Sequence, residues 1–96
     1  MAEKPDYLEH RKRLRERFLK SSGRGLSDYE LIELLLTYAI PGKDVKHVAK
    51  ELNRKFGSLR GILESSRVEL EKIDGIGPAS SVLILLIKRD SHRLFS

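Results

Sequence analysis

The residues best suited to chemistry in this chain are the tripeptide Gly75-Ile76-Gly77 and the Pro78 that follows it. Glycine permits positive φ and the close approach of a second backbone, while proline is favoured in the first turn of a helix. The tripeptide therefore predicts a tight turn between two helices, with Ile76 filling the gap between them. Such a turn leaves unpaired amides at the positive end of the second helix, where a phosphate oxygen can bind. The predicted phosphate-binding residues around this turn are Gly75, Ile76, Gly77, Ala79, Ser80 and Ser81, with Lys72 and Lys88 nearby.

Positive charge is concentrated in one segment near the N-terminus. Residues 10–24 hold seven basic side chains and one acidic one, Glu16, within a chain whose formal net charge is +5. This concentration favours a polyanionic partner, and DNA phosphates suit both the segment and the turn. Charge alone fits a solvated, arginine-rich helix face equally well. The predicted DNA contacts of this segment are Arg11, Arg13 and Arg17.

Catalytic and metal-binding patterns are not found in the sequence. His10, His47 and His92 are far apart and form no His-x-His or His-x-x-x-His pair, so no metal site is predicted. The absence of cysteine excludes thiolate ligands, a cysteine nucleophile and disulfides. The carboxylates are predicted to lie at helix caps or in surface pairs such as Glu51 with Lys55. We therefore expect no catalytic residue, no cofactor and no small-molecule substrate.

The elements that position the turn are predicted to be six helices in an all-α fold, because apolar residues recur with helical spacing and no segment alternates like a strand. Capping boxes at Ser27 and Ser66, each with glutamate three residues later, mark two helix starts. Asp44 and Ser58 are the predicted N-caps of two more, and Gly57 a left-handed C-cap. The predicted helices cover about 7–21, 28–40, 45–56, 59–63, 67–73 and 78–91.

The length of 96 residues predicts one domain, 1–96, with one hydrophobic core. The first 20 residues are densely charged, which is unlike a signal peptide, and no apolar run approaches the roughly 20 residues that span a bilayer. We therefore expect a soluble, cytoplasmic protein without a membrane partner.

The region at about 67–91 resembles the helix-hairpin-helix motif of DNA repair and recombination proteins, which binds DNA backbone without reading sequence. The residues that carry this resemblance are Leu70, Ile73, Gly75, Ile76, Gly77, Ser81 and Val82. Two positions depart from the motif: Ser80 stands where lysine or arginine is usual, and Ser81 where alanine is usual. The resemblance implies phosphate binding that depends more on amides, hydroxyls and the nearby lysines. A base-excision glycosylase shares this motif, but its catalytic aspartate lies well beyond the hairpin, where this chain has only Asp90.

A longer resemblance runs from residue 10 to residue 59. Its blocks are His10-Arg11-Lys12-Arg13-Leu14-Arg15-Glu16-Arg17-Phe18, Leu26-Ser27-Asp28-Tyr29-Glu30-Leu31, Leu34-Leu35-Leu36, Ala39-Ile40-Pro41, Asp44-Val45-Lys46 and Phe56-Gly57-Ser58-Leu59. Together they resemble the N-terminal helical domain of RadC-like proteins, a bacterial family historically labelled as DNA repair proteins. In that family a JAB-type metalloprotease-like domain follows, and the chain is similar to the N-terminal domain alone, so no metal ligands are carried over.

These observations predict a DNA-binding module that contacts phosphate backbone without sequence specificity and serves DNA repair or recombination. The alternative is a protein-docking domain of a RadC-like protein that does not itself bind DNA, with a JAB-type domain or another protein as its partner. An apolar patch at Tyr38, Ile40 or the segment Leu94-Phe95 would serve that alternative. A steep salt dependence of binding distinguishes the first function from the second.

Overall fold

The computed structural model describes the backbone of residues 6–95 and the side chains of residues 8–90. Within that range it has no strand, and its six helices confirm the all-α prediction. They are α1 (Asp6–Ser21), α2 (Asp28–Ala39), α3 (Lys46–Phe56), α4 (Leu59–Leu63), α5 (Arg67–Glu71) and α6 (Pro78–Phe95). None of the helices so described is long and apolar enough to cross a membrane. The side chains of His92, Leu94 and Phe95, which the sequence analysis considered, lie outside the described residues.

Side-chain caps fix where the helices begin. The Ser27 hydroxyl accepts the Glu30 amide at 3.3 Å, and the Glu30 carboxylate accepts the Ser27 amide at 3.0 Å, so this capping box is confirmed. The box at Ser66 and the serine cap at Ser58 are confirmed in the same way. The prediction for α3 was wrong by one residue: Val45 is the N-cap, although the Asp44 carboxylate accepts the Lys46 amide at 3.0 Å.

Helix α2 lies at the centre of the molecule and has a different neighbour on each face. Ile32 and Leu36 are fully buried in the main core, which α3, α4, α5, α6 and the turn before α6 complete. Glu33 and Thr37 are also buried, on a second face. Leu35, in contrast, is only partly buried. The apolar residues of α2 therefore divide between the core and a more open surface.

Helix α1 is held on α2 by polar contacts as well as by the buried Leu14. Arg11 donates hydrogen bonds to the carbonyl oxygens of Ile40, the C-cap of α2, and of Lys43 in the loop that follows. His10 Nε2 lies 2.6 Å from the carboxylate of Glu33. Burial, followed by the neighbouring Glu33 carboxylate, raises the pKa of Tyr29. A buried carboxylate with partners on two helices fixes the position of α1 more closely than apolar contact alone.

Replacing Leu36 with alanine is expected to lower the free energy of unfolding by about 3 kcal/mol, because the cavity left in a closed core cannot be filled. The control is Leu35→Ala on the adjacent residue, for which we expect a loss of about 1 kcal/mol, since Leu35 is already partly open to solvent. Urea unfolding followed by circular dichroism measures both. Equal losses would contradict the assignment of these two leucines to different faces.

Candidate functional site

The turn between α5 and α6 spans residues 72–77 and is anchored in the core by two isoleucines. Ile73 and Ile76 are both buried, and the Ile76 amide donates to the Ile73 carbonyl at 3.0 Å. Ile76 is thus part of the core, which is compatible with the predicted role of filling the gap between the two helices. Gly75 has φ +99°, and a Cβ added there would lie 2.7 Å from Cγ2 of Val48 on α3. The fold therefore requires glycine at position 75.

Gly77 has a different environment from Gly75. Its φ is not in the left-handed region, and a Cβ built on it would meet no atom within 4 Å. Its carbonyl accepts the Ser81 amide at 3.0 Å, which makes Gly77 the residue that precedes the first turn of α6. Neither backbone conformation nor packing requires glycine here. The missing side chain keeps the start of α6 open to solvent.

The start of α6 also lacks the side-chain cap seen on other helices. Serines 27, 58 and 66 cap α2, α4 and α5, whereas Gly77 has no side chain with which to cap α6. Among the described residues, no acceptor is hydrogen-bonded to the amides of Gly77, Ala79 or Ser80. Three amide donors thus remain at the positive end of an 18-residue helix. This arrangement can accept an oxyanion.

The two serines that were expected to offer hydroxyls to phosphate are buried instead. Ser80 is 4% exposed and Ser81 1% exposed, because both side chains lie on the inner face of α6. The guanidinium of Arg67, which hydrogen-bonds to the Glu71 carboxylate at 2.6 Å on α5, lowers the pKa of that carboxyl. The expectation of hydroxyl contacts was therefore wrong, and Ser80 could contribute only its backbone amide, which has no backbone acceptor.

Of the two predicted lysines, one lies at the turn and one does not. Lys72 is exposed in the turn, next to the equally exposed Asp74. Lys88 lies 11 residues after Gly77, about 16 Å along the helix, and donates to the Ser65 carbonyl at 3.4 Å. Lys88 is therefore not part of the turn, contrary to the prediction.

A third lysine, Lys55, lies close to α5 and was not predicted from the sequence as part of the site. Lys55 was expected to pair with Glu51, but Glu51 pairs with Arg54 at 2.8 Å instead. The Lys55 ammonium lies 3.5 Å from the Glu69 carbonyl and 5.5 Å from the centroid of the Phe56 ring. Lys55 and Glu69 are 14 residues apart, so only the packing of α3 against the hairpin region brings them together.

The arginines of α1 divide between structural contacts and solvent. Arg11 is 6% exposed and caps carbonyls at the end of α2, so it was wrongly predicted to contact DNA. Arg17 bridges to Glu30 at 2.5 Å, and its guanidinium, with the Ser27 amide, holds the pKa of Glu30 below its usual value. Arg13 is exposed, as predicted. The other exposed basic residues of this segment are Lys12, Arg15, Lys20 and Arg24.

The two predicted DNA-binding regions, the basic helix α1 and the turn before α6, have different neighbours in the fold. Helix α1 packs on α2, whereas α6 packs on α2, α4 and α5. The turn itself holds one exposed base and one exposed acid, Lys72 and Asp74. Any capacity of the turn for an anion therefore depends on its amides, while α1 carries a group of exposed basic side chains.

A second surface feature is an apolar groove of about 400 Å³ between α1 and α2. Its lining residues are Arg15, Phe18, Leu19, Leu31, Leu34, Leu35, Tyr38 and Leu59. Tyr38, one of the predicted docking residues, is 61% exposed at this groove, whereas Ile40 packs against the core. The groove lacks the titratable clusters of a reactive site, and no group of three or more His, Asp or Glu residues in the described part of the chain could hold a metal ion.

The described residues form a small helical domain with two surface features, the 72–77 turn and the groove between α1 and α2. A family model described as UPF0758 N-terminal matches residues 6–82, and the chain belongs to this family. The family match agrees with the resemblance to the N-terminal region of RadC-like proteins.

Two curated relatives are similar over almost the whole chain. UPF0758 protein FN0909 of Fusobacterium nucleatum is 46% identical over 87 residues, which cover 91% of this chain and 37% of the relative. UPF0758 protein SPO0054 of Ruegeria pomeroyi is 38% identical over 91 residues, covering 94% of this chain and 41% of the relative. The chain thus spans about two fifths of the length of these relatives. No solved structure gives a significant match to the chain.

Proposed function

We propose that this domain binds the phosphate backbone of DNA without reading its sequence, with α5, the 72–77 turn and α6 acting as a helix-hairpin-helix motif. The observation that carries the proposal is the open glycine at position 77. Packing does not require it, and it leaves the amides at the start of α6 without a side-chain cap or a backbone acceptor. A phosphate oxygen is the ligand that matches several convergent amides at a helix N-terminus. Contacts of this kind carry no base information.

The exposed basic residues of α1 form the second part of the proposed interface. Arg13 and Lys20 lie on the side of α1 that faces away from α2, as their exposure and helical spacing indicate. Their charge attracts the polyanion at long range, whereas the hairpin amides act at hydrogen-bond distance. The proposed role is binding rather than catalysis, in the repair or recombination processes with which RadC-like proteins have been linked. Protein docking is the alternative, and the groove between α1 and α2 favours it as an additional activity.

Reversing two charges on α1 tests the electrostatic part of the proposal. In Arg13→Glu/Lys20→Glu we expect weaker binding to duplexes of any sequence and a plot of log affinity against log salt that is shallower by about one to two units, since each phosphate contact contributes roughly one. Fluorescence anisotropy with labelled duplexes of two unrelated sequences, over a series of salt concentrations, gives both quantities.

The matched control reverses two exposed lysines of α3, Lys46→Glu/Lys50→Glu, and changes the net charge of the protein by the same amount. We expect this control to retain more of the affinity than the α1 variant. Equal losses in the two variants would mean that the net charge, and not a surface on α1, governs the attraction.

A further inference from the structure

We propose that the groove between α1 and α2 binds an amphipathic helix from a protein partner, with an apolar face that enters the groove and acidic side chains along its edge. This surface is separate from the hairpin. The proposal does not depend on DNA binding, and it assigns a chemistry to the occupant that family membership does not supply.

The floor of the groove is a second apolar stripe of α2. Leu31, Leu34, Leu35 and Tyr38 follow the spacing i, i+3, i+4 and i+7, which places them on one face of the helix. Ile32 and Leu36 are the fully buried core residues of α2; of the stripe, Leu35 also packs against the core, and Tyr38 remains exposed. Apolar residues at this spacing form the kind of surface on which an amphipathic helix can lay its own apolar face.

The side of the groove that α1 forms is also apolar, and the loop after α1 packs against it. Leu19 is 78% exposed and Phe18 38% exposed, although both line the groove. A Cβ added to Gly23 would lie 2.9 Å from Cε2 of the Phe18 ring, so the loop after α1 packs closely against that ring. The groove is therefore a supported concave surface, and large side chains such as Leu19 contribute little to the stability of the isolated domain.

The charges around the groove select its occupant. Arg15 is the charged residue among those that line it; by helical spacing Lys12 lies on the same side of α1, and Asp28 lies at the start of the α2 stripe. A second copy of this chain would bring two such basic helices together, which like-charge repulsion disfavours. DNA would leave the leucines without apolar contacts. A helix with apolar residues at i, i+3, i+4 and i+7 would cover the leucines of the floor. Glutamate or aspartate beside those residues would pair with the basic side chains at the edge of the groove.

A pair of synthetic helical peptides of about five turns tests this assignment. Both carry leucine at i, i+3, i+4 and i+7; one has glutamate and the other lysine at the flanking positions. In fluorescence anisotropy at low salt we expect the glutamate peptide to bind the full chain at least about tenfold more tightly than the lysine peptide. Leu19→Ser should reduce the affinity for the glutamate peptide about tenfold or more. Arg15→Glu should reduce the ratio between the affinities for the glutamate peptide and the lysine peptide.

The matched control is Val68→Ser, which removes a similarly exposed apolar side chain from α5, outside the groove, and should leave peptide binding unchanged. The proposal is overturned if neither peptide binds, if the lysine peptide binds as well as the glutamate peptide, or if Val68→Ser and Leu19→Ser behave alike. It is also overturned if sedimentation velocity shows self-association that Leu19→Ser removes, because the occupant would then be a second copy. The Gly77→Val variant should bind the glutamate peptide as tightly as the parent protein. Peptide binding by this variant therefore tests the groove independently of DNA binding by the hairpin.

Discussion

The Gly77→Val variant is expected to keep its helical fold and to lose about tenfold or more of its affinity for duplex DNA. A Cβ built on residue 77 would meet no atom within 4 Å, so we expect the fold to tolerate the valine, whose branched side chain would stand beside the amides at the start of α6. A phosphate oxygen could no longer reach hydrogen-bond distance from those amides. Because valine is a poor N-cap, we expect a loss of about 1 kcal/mol in stability. Anisotropy titrations and urea unfolding of the same sample measure the two effects separately.

A second substitution at the same position separates binding from stability. Aspartate is a favourable N-cap, so Gly77→Asp should stabilise the helix by a few tenths of a kcal/mol while its carboxylate occupies the amides and repels phosphate. Affinity and stability should therefore change in opposite directions. If both variants bind DNA as well as the parent, the turn between α5 and α6 only connects two helices.

The Gly75→Val variant is expected to lower the free energy of unfolding by about 3 to 6 kcal/mol. A β-branched residue at φ +99° is strained, and its Cβ would lie 2.7 Å from Cγ2 of the buried Val48. Strain and overpacking each cost about 1 to 3 kcal/mol, and valine lies at the upper end for a left-handed position.

The same glycine-to-valine change two residues apart thus has different consequences for the fold. Urea unfolding of Gly75→Val and Gly77→Val side by side is the measurement, with the circular dichroism of each variant at zero denaturant as the control for folding. A Gly75→Val protein as stable as Gly77→Val would contradict the close approach of the turn to α3.

The helices could be predicted because their signals are local. Capping boxes such as Ser27 with Glu30, and helical spacing such as that of Val48 and Leu52, depend on residues within one or two turns. The burial of Ile76 within the turn followed from the same local pattern. The DNA-contact residues were harder to predict, because a basic side chain in the sequence does not show what it touches. Arg11 reaches the carbonyl of Lys43, 32 residues away along the chain.

The sequence also left open which side chains are buried on a helix that is apolar on several faces. Ser80 and Ser81 follow the turn at positions that suit a phosphate contact, yet their burial depends on how α6 packs against its neighbours. The leucines of α2 likewise fall on several faces of the helix, and their spacing alone could not show that one stripe would line an open groove. Both questions depend on tertiary packing, which the local pattern does not specify.

The most direct test of DNA binding by the hairpin is a titration of the 15N-labelled protein with a short duplex, followed amide by amide in heteronuclear NMR spectra. We expect the largest shift changes at the amides of Gly77, Ala79 and Ser80, with smaller changes along the exposed side of α1 and none at Leu34 or Leu35 in the groove. Shift changes that are confined to α1, or that are largest in the groove, with the three hairpin amides unmoved at saturation, would contradict the account.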